Sequence, residues 1–248
     1  MKAVAVIGFS GSGKTTIVEK VVGELKSRGY SVATVKHVHG AKRIDLADKD
    51  TWRHINAGAD LAIALSDSET LKVKPEKTEL WRVLWKLSSY DYVVLEGFKK
   101  SFYGAKIAVA NSVVDAEKLF NSLVIAFVGR LASDMKELKG IPVVDLENVD
   151  FLVDLIEEKA FMPPAGVNCR KCRYSSCADL AAAILRGEAA VDECVFMKKT
   201  GVELMVNGIE VKLNPFVSLV FKNVILGLVN SLKGVENPRE IEVKIKLV

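Results

Sequence analysis

Along residues 1–160, short apolar runs alternate with stretches in which apolar positions recur every three or four residues. The runs are KAVAVI (2–7), YSVATVKH (30–37), DLAIALSD (60–67), SYDYVVLEG (89–97), KIAVAN (106–111), SLVIAFVG (122–129) and IPVVDLE (141–147). Their length and β-branched content predict buried strands. Between them, IVEKVVGELKSRG, TWRHINAGA, TELWRVLWKLSS and VDFLVDLIEEK carry the helical period. Strands spaced by helices predict a mostly parallel sheet covered on both faces. Ligands of such sheets lie at the carboxyl ends of the strands, where Lys14, Lys36, His37 and Glu96 are expected to meet. Beyond residue 160 the pattern changes. Pro163-Pro164-Ala165-Gly166 reads as a linker, ADLAAAILRG as a helix, and VELMVNGIEVKL (202–213) as a hairpin turning at Asn207-Gly208. Asn214 and Pro215 open another helix, buried or partner-facing, and EIEVKIKLV (240–248) reads as a last strand. The pattern therefore predicts an α/β domain over 1–160 and a small α+β domain over 161–248.

The first strand runs directly into Gly8-Phe9-Ser10-Gly11-Ser12-Gly13-Lys14-Thr15-Thr16 and then into a helix. Strand, glycine-rich turn, Lys-Thr and helix in this order are the context of a phosphate-binding P-loop. Glycines let successive backbone N–H groups turn inward toward phosphate oxygens, and the helix adds its positive end. Lys14 is placed to reach β- and γ-phosphates, and the Thr15 hydroxyl to ligate Mg²⁺. A dinucleotide-binding fingerprint fits less well, because its third glycine falls on Thr16. Glu96 closes an apolar strand, where P-loop proteins place an acid that holds Mg²⁺ directly or through water. His37 and His39, two of the three histidines, are candidates to polarise phosphate or to bind metal, for which two histidines alone are a weak signal. Trp81 and Trp85, four residues apart, read as packing.

Composition narrows the classes. Of 248 residues, half are hydrophobic, enough for a large core, and the net charge of +4 is not gathered in a long basic run. No nucleic-acid footprint is read from it. The chain opens on a strand without a secretory leader, and the apolar stretch 215–232 is interrupted by Lys222 and Asn223, so a cytoplasmic protein without a membrane span is expected.

With the P-loop before them, KHVHG (36–40), IDLADKDTWRHINAGA (44–59) and EGF (96–98) resemble the molybdopterin-guanine dinucleotide biosynthesis protein B family over roughly the first 160 residues. The resemblance implies a GTP-binding, weakly GTP-hydrolysing, dimeric protein. Its partner would be the guanylyltransferase that attaches GMP to molybdopterin carrying molybdenum or tungsten, with molybdoenzymes or tungstoenzymes as further targets. It assigns Gly11, Ser12, Gly13, Lys14, Thr15 and Thr16 to the phosphates, Thr15 to Mg²⁺, and Asp45 and Glu96 as further acids at the site. Asp48 stands where the family usually has glycine. The chain has no Asn-Lys-x-Asp guanine signature, so preference for GTP over ATP rests on the resemblance.

All four cysteines, Cys169, Cys172, Cys177 and Cys194, fall in one stretch with spacing C-x2-C-x4-C-x16-C. Three bunched thiolates and a fourth returning after a helix form a site for a metal or cluster. Both Zn²⁺ and an iron–sulfur cluster accept four thiolates, but zinc sites usually pair two C-x2-C knuckles and only one is present. The stretch also resembles the small [4Fe–4S] domain of corrinoid iron–sulfur proteins, with Arg173 where glycine is common. The combined expectation is a P-loop GTPase-like accessory protein of molybdenum or tungsten cofactor synthesis with a [4Fe–4S] module behind it. In this reading Lys14 and Glu96 serve hydrolysis, and GTP with Mg²⁺ orders the 37–50 segment. The alternative is a P-loop ATPase or nucleotide- and redox-sensing adaptor that activates or reduces another metalloenzyme through its cluster.

Overall fold

The computed structural model describes residues 1–38, 40, 49–197, 201–211, 213, 215–235 and 238–245. The elements follow in order: β1 (Lys2–Gly8), α1 (Lys14–Ser27), β2 (Val32–Lys36), α2 (Asp50–Asn56), β3 (Ala62–Leu65), β4 (Thr70–Val73), α3 (Leu80–Lys86), β5 (Tyr92–Glu96) and β6 (Ala105–Val109). After these come α4 (Val113–Leu119), β7 (Val124–Val128), β8 (Glu137–Leu138), β9 (Ile141–Val144), α5 (Val149–Lys159), α6 (Cys177–Leu185), β10 (Met205–Val206), β11 (Ile209–Glu210) and α7 (Pro215–Asn230). Seven strands form one sheet in the order β2-β5-β1-β6-β7-β9-β8, parallel throughout except for β8 on the edge. The P-loop strand β1 is thus fully interior, which explains its unbroken apolar run.

Alternation along β1 divides the core into two layers. Val4 and Val6 face α1 and α5, packing with Ile17, Val21, Leu25, Leu152, Val153 and Ile156. Ala3, Ala5 and Ile7 face the other layer, with Leu84 of α3, Ala116 and Leu119 of α4, and Phe102 and Phe127. At the amino edge, Arg28 ties α1 to α5 through Glu24, Asp154 and Glu157.

Two expectations change and a third narrows. The 60–67 run is a strand, but β3 pairs antiparallel with β4 in a separate hairpin rather than joining the sheet. Residues 240–245, the described part of the expected last strand, form no strand; alternation at Ile241, Val243 and Ile245 meets no partner ladder. The 215–232 stretch forms α7 over Pro215–Asn230, and Phe216, Leu219, Val220, Phe221, Val224 and Leu228 on it are exposed, so of the two expected alternatives, buried or partner-facing, the buried one is not realised. No helix among the described residues is long and apolar enough to cross a membrane. The 205–210 hairpin turns at Asn207 and Gly208, both at positive φ (53° and 80°), as the Asn-Gly pair predicts.

The cysteine-bearing segment docks at the amino edge of the sheet. Phe161 pairs with Ala3, and Ala181 and Ala182 of α6 pack on Leu123 and Phe161. The P-loop lies at the opposite, carboxyl edge, one strand length away. At about 3.3 Å per residue, the seven residues of β1 place the two roughly 20 Å apart.

Candidate functional site

The loop leaving β1 turns through Gly11 and Gly13, both in the left-handed region (φ 71° and 94°), before α1 begins at Lys14. Glycine occupies that region at no steric cost. Gly8 is required for a different reason. A Cβ there would stand 2.5 Å from Ser12 Oγ and 3.0 Å from the Val109 carbonyl oxygen, so a side chain would force the loop off the sheet. α1 has no side-chain cap and no acid in its first turn, so its N-terminal amides are not claimed by a side chain.

Glu96 ends β5 beside this loop. Its row across the sheet is Lys36–Glu96–Val6, all on the face covered by α1. Thr15 donates its hydroxyl to Glu96 Oε1 at 3.1 Å, and Lys36 Nζ lies 3.0 Å from the same oxygen. Lys14 Nζ donates to the Phe9 carbonyl at 2.6 Å, folding back over the loop it follows. Burial lowers the Lys14 pKa, Glu96 pulls it back up, and Lys36 and Lys99 lower it further. Lys14 thus feels one carboxylate and two further ammonium groups beside the loop.

The expected meeting of Lys14, Lys36, His37 and Glu96 at the carboxyl edge is what the structure contains. His37 donates its backbone N–H to the Glu96 carbonyl, and its ring stacks at a tilt on Phe98. His39, Asp45 and Asp48 lie outside the described residues. Trp81 and Trp85 pack edge to face at 4.5 Å on α3, away from this edge. Lys99 was not foreseen. It reaches the Phe9 ring of the P-loop at 4.3 Å, and its carbonyl accepts from the buried Lys106 amine at 3.0 Å. Burial pushes that amine down to about 8. No periodic signal marks Lys99, because the 97–104 segment that carries it is irregular.

The residues fit a nucleotide phosphate chain with Mg²⁺. The Gly8 contact leaves no space for a side chain under the loop, and Ser12 Oγ is buried there with no hydrogen-bond partner among the described residues. Thr15 and Glu96 together offer the hard oxygen donors Mg²⁺ requires.

At the amino edge all four cysteines are free thiols, Cys177 and Cys194 buried and Cys169 and Cys172 half-buried. Ser176 caps α6 by accepting from the Asp179 amide, which fixes Cys177 at the first helical position. Asn168 Oδ1 accepts from the Cys177 amide at 2.8 Å. Burial raises the Cys177 pKa, hydrogen bonds from the Asn168 and Gly166 backbones oppose this, and Cys194 and Cys169 raise it further. Cys172 packs with Cys194, Leu180 and Met197. The four thiols lie in one short segment, and no three Cys, His, Asp or Glu side chains among the described residues stand close enough to share one metal ion. An all-sulfur donor set with backbone amides aimed at a sulfur fits an iron–sulfur cluster, whose ligands are thiolates tuned by such hydrogen bonds.

Comparison with known proteins agrees with both halves. Residues 3–130 match the family model "Molybdopterin guanine dinucleotide synthesis protein B", and residues 165–196 match "Putative Fe-S cluster". A Methanocaldococcus jannaschii protein named "Putative molybdopterin-guanine dinucleotide biosynthesis adapter protein" is 32% identical over 247 residues, 99% of this chain and 97% of its own. A Bacillus subtilis relative, "Probable molybdopterin-guanine dinucleotide biosynthesis adapter protein", is 32% identical over 162 residues, covering 62% of this chain and 92% of its own. The crystal structure of Bacillus subtilis MobB superposes with a TM-score of 0.52 at 26% identity, over 62% of this chain and 98% of that one.

Proposed function

The chain belongs to the molybdopterin guanine dinucleotide synthesis protein B family, and on that premise we propose that it is a GTP-binding, weakly GTP-hydrolysing accessory protein of molybdenum or tungsten cofactor synthesis. Its partner is the enzyme that joins GMP to molybdopterin, it acts as a homodimer in the cytoplasm, and molybdoenzymes or tungstoenzymes are its downstream targets. The observation that carries this reading is the convergence of Thr15, Lys36 and Lys14 on Glu96 beside the P-loop. Backbone amides from Gly11 to Thr16 cradle the phosphates, and Lys14 leaves the Phe9 carbonyl to contact the β- and γ-phosphates. Thr15 and Glu96 hold Mg²⁺, with Asp45 as a further acid. Bound there, Mg²⁺ neutralises charge on the phosphates. The cysteine module holds a [4Fe–4S] cluster through Cys169, Cys172, Cys177 and Cys194.

Glu96 separates this arrangement from a merely structural one. Glu96→Gln is expected to weaken GTP binding in Mg²⁺ and slow hydrolysis, while binding in EDTA changes little. Calorimetric titration under both conditions checks this. Equal impairment in Mg²⁺ and EDTA would assign Glu96 to holding the strand end instead.

A further inference from the structure

Glu96 Oε1 accepts from Thr15 and also carries the Lys36 ammonium, at 3.1 and 3.0 Å. These are the two oxygens that the proposed function gives to Mg²⁺. We propose that Lys36 is a placeholder for the divalent cation: it neutralises Glu96 until Mg²⁺ arrives, and Mg²⁺ displaces it. The inference rests on the nucleotide reading above and adds to it a residue that sets how strongly the site depends on the metal.

The geometry carries it in three steps. First, the pairing is built in and not accidental, because Lys36 and Glu96 are register partners on the parallel strands β2 and β5. Both side chains therefore emerge on the α1 face, under Thr15. Second, the two cations compete for one carboxylate charge. Mg²⁺ takes oxygen ligands at about 2.0–2.1 Å, and on Oε1, the oxygen nearest Thr15, it would meet the ammonium that now sits there. An ammonium and a divalent ion on one carboxylate oxygen also repel strongly. Third, Lys36 is free to leave and Glu96 is not. The Lys36 side chain is 57% exposed and the Glu96 side chain 13%. Withdrawal returns the ammonium to water at little cost, whereas an uncovered Glu96 beside the phosphates would repel them. Neither the P-loop pattern nor the strand-end acid predicts this role, which depends on the register of β2.

The consequence is a thermodynamic signature. Without metal, Lys36 shields the phosphates from Glu96; with metal bound it is no longer needed. Binding of a non-hydrolysable GTP analogue to the full chain is to be measured by calorimetry in EDTA and in saturating Mg²⁺. Wild type is compared with Lys36→Met, which keeps most of the stem, and Lys36→Arg, which keeps the charge. Lys36→Met is expected to bind about three- to fivefold more weakly than wild type in EDTA and equally well in Mg²⁺, with Lys36→Arg close to wild type in both. Equal loss in both conditions would make Lys36 a fixed phosphate contact and overturn the proposal, as would no change in either. A second arm needs no nucleotide. Mn²⁺ binding to nucleotide-free protein, read by electron paramagnetic resonance, is expected to tighten in Lys36→Met. Unchanged Mn²⁺ affinity would overturn the placeholder role. If wild type binds no nucleotide, the P-loop reading fails, and this arm still decides the question for Lys36.

Discussion

Replacing Cys177 by serine is expected to strip iron and labile sulfide from anaerobically prepared protein and abolish its brown colour, while Mg·GTP binding stays within about twofold of wild type. Cys177 is the buried cysteine at the start of α6, and it takes backbone hydrogen bonds from Asn168 and Gly166. A serine hydroxyl is a harder, less acidic donor and does not replace a thiolate on iron. The effect should stop at the amino edge. The two layers that hold the P-loop contain no residue of α6 among their buried members. Iron and sulfide analysis with visible absorption before and after dithionite reads the first part, and calorimetry reads the second. Colourless anaerobic wild-type protein carrying one zinc per chain would instead make the module structural, since zinc is silent in both absorption and redox.

Removing the Lys14 side chain has the other large expected effect. Lys14→Ala takes away a charge-assisted contact to phosphate, on the order of 2–3 kcal/mol, which is roughly a 30- to 150-fold rise in Kd for Mg·GTP. The fold should survive, because the ammonium's contact is with the exposed Phe9 carbonyl and α1 anchors itself through Ile17, Val21 and Leu25. Circular dichroism should therefore show an unchanged melting transition while calorimetry shows the loss. Unaltered affinity would remove Lys14 from the phosphate site.

What could be read from the chain was mostly local. The P-loop was legible because its glycines, lysine and threonines lie within nine consecutive residues between a strand and a helix. Glu96 was legible because it terminates an apolar run, and both apolar periods survived into β1, β5 and α1. Pairing was harder, since periodicity says that residues 62–65 are extended but not which strand they meet. They found β4, not the sheet. Ile241, Val243 and Ile245 alternate as a strand does, yet alternation alone supplies no hydrogen-bonding neighbour. The contacts that refine the sites are nonlocal in the same way. Lys36 reaches Glu96 through the register of two strands, Lys99 reaches Phe9 through an irregular segment, and Asn168 reaches Cys177 across a cysteine loop. No spacing rule links any of those pairs.

The most direct test of the account is a calorimetric titration of wild-type protein with Mg·GTP, repeated in competition with Mg·ATP. Saturable binding at one site per chain, lost in Lys14→Ala and displaced by GTP more readily than by ATP, is the predicted result. Binding that ATP displaces more readily would point to an ATP-driven activator of another metalloenzyme. No saturable binding of either nucleotide would contradict the account at its centre.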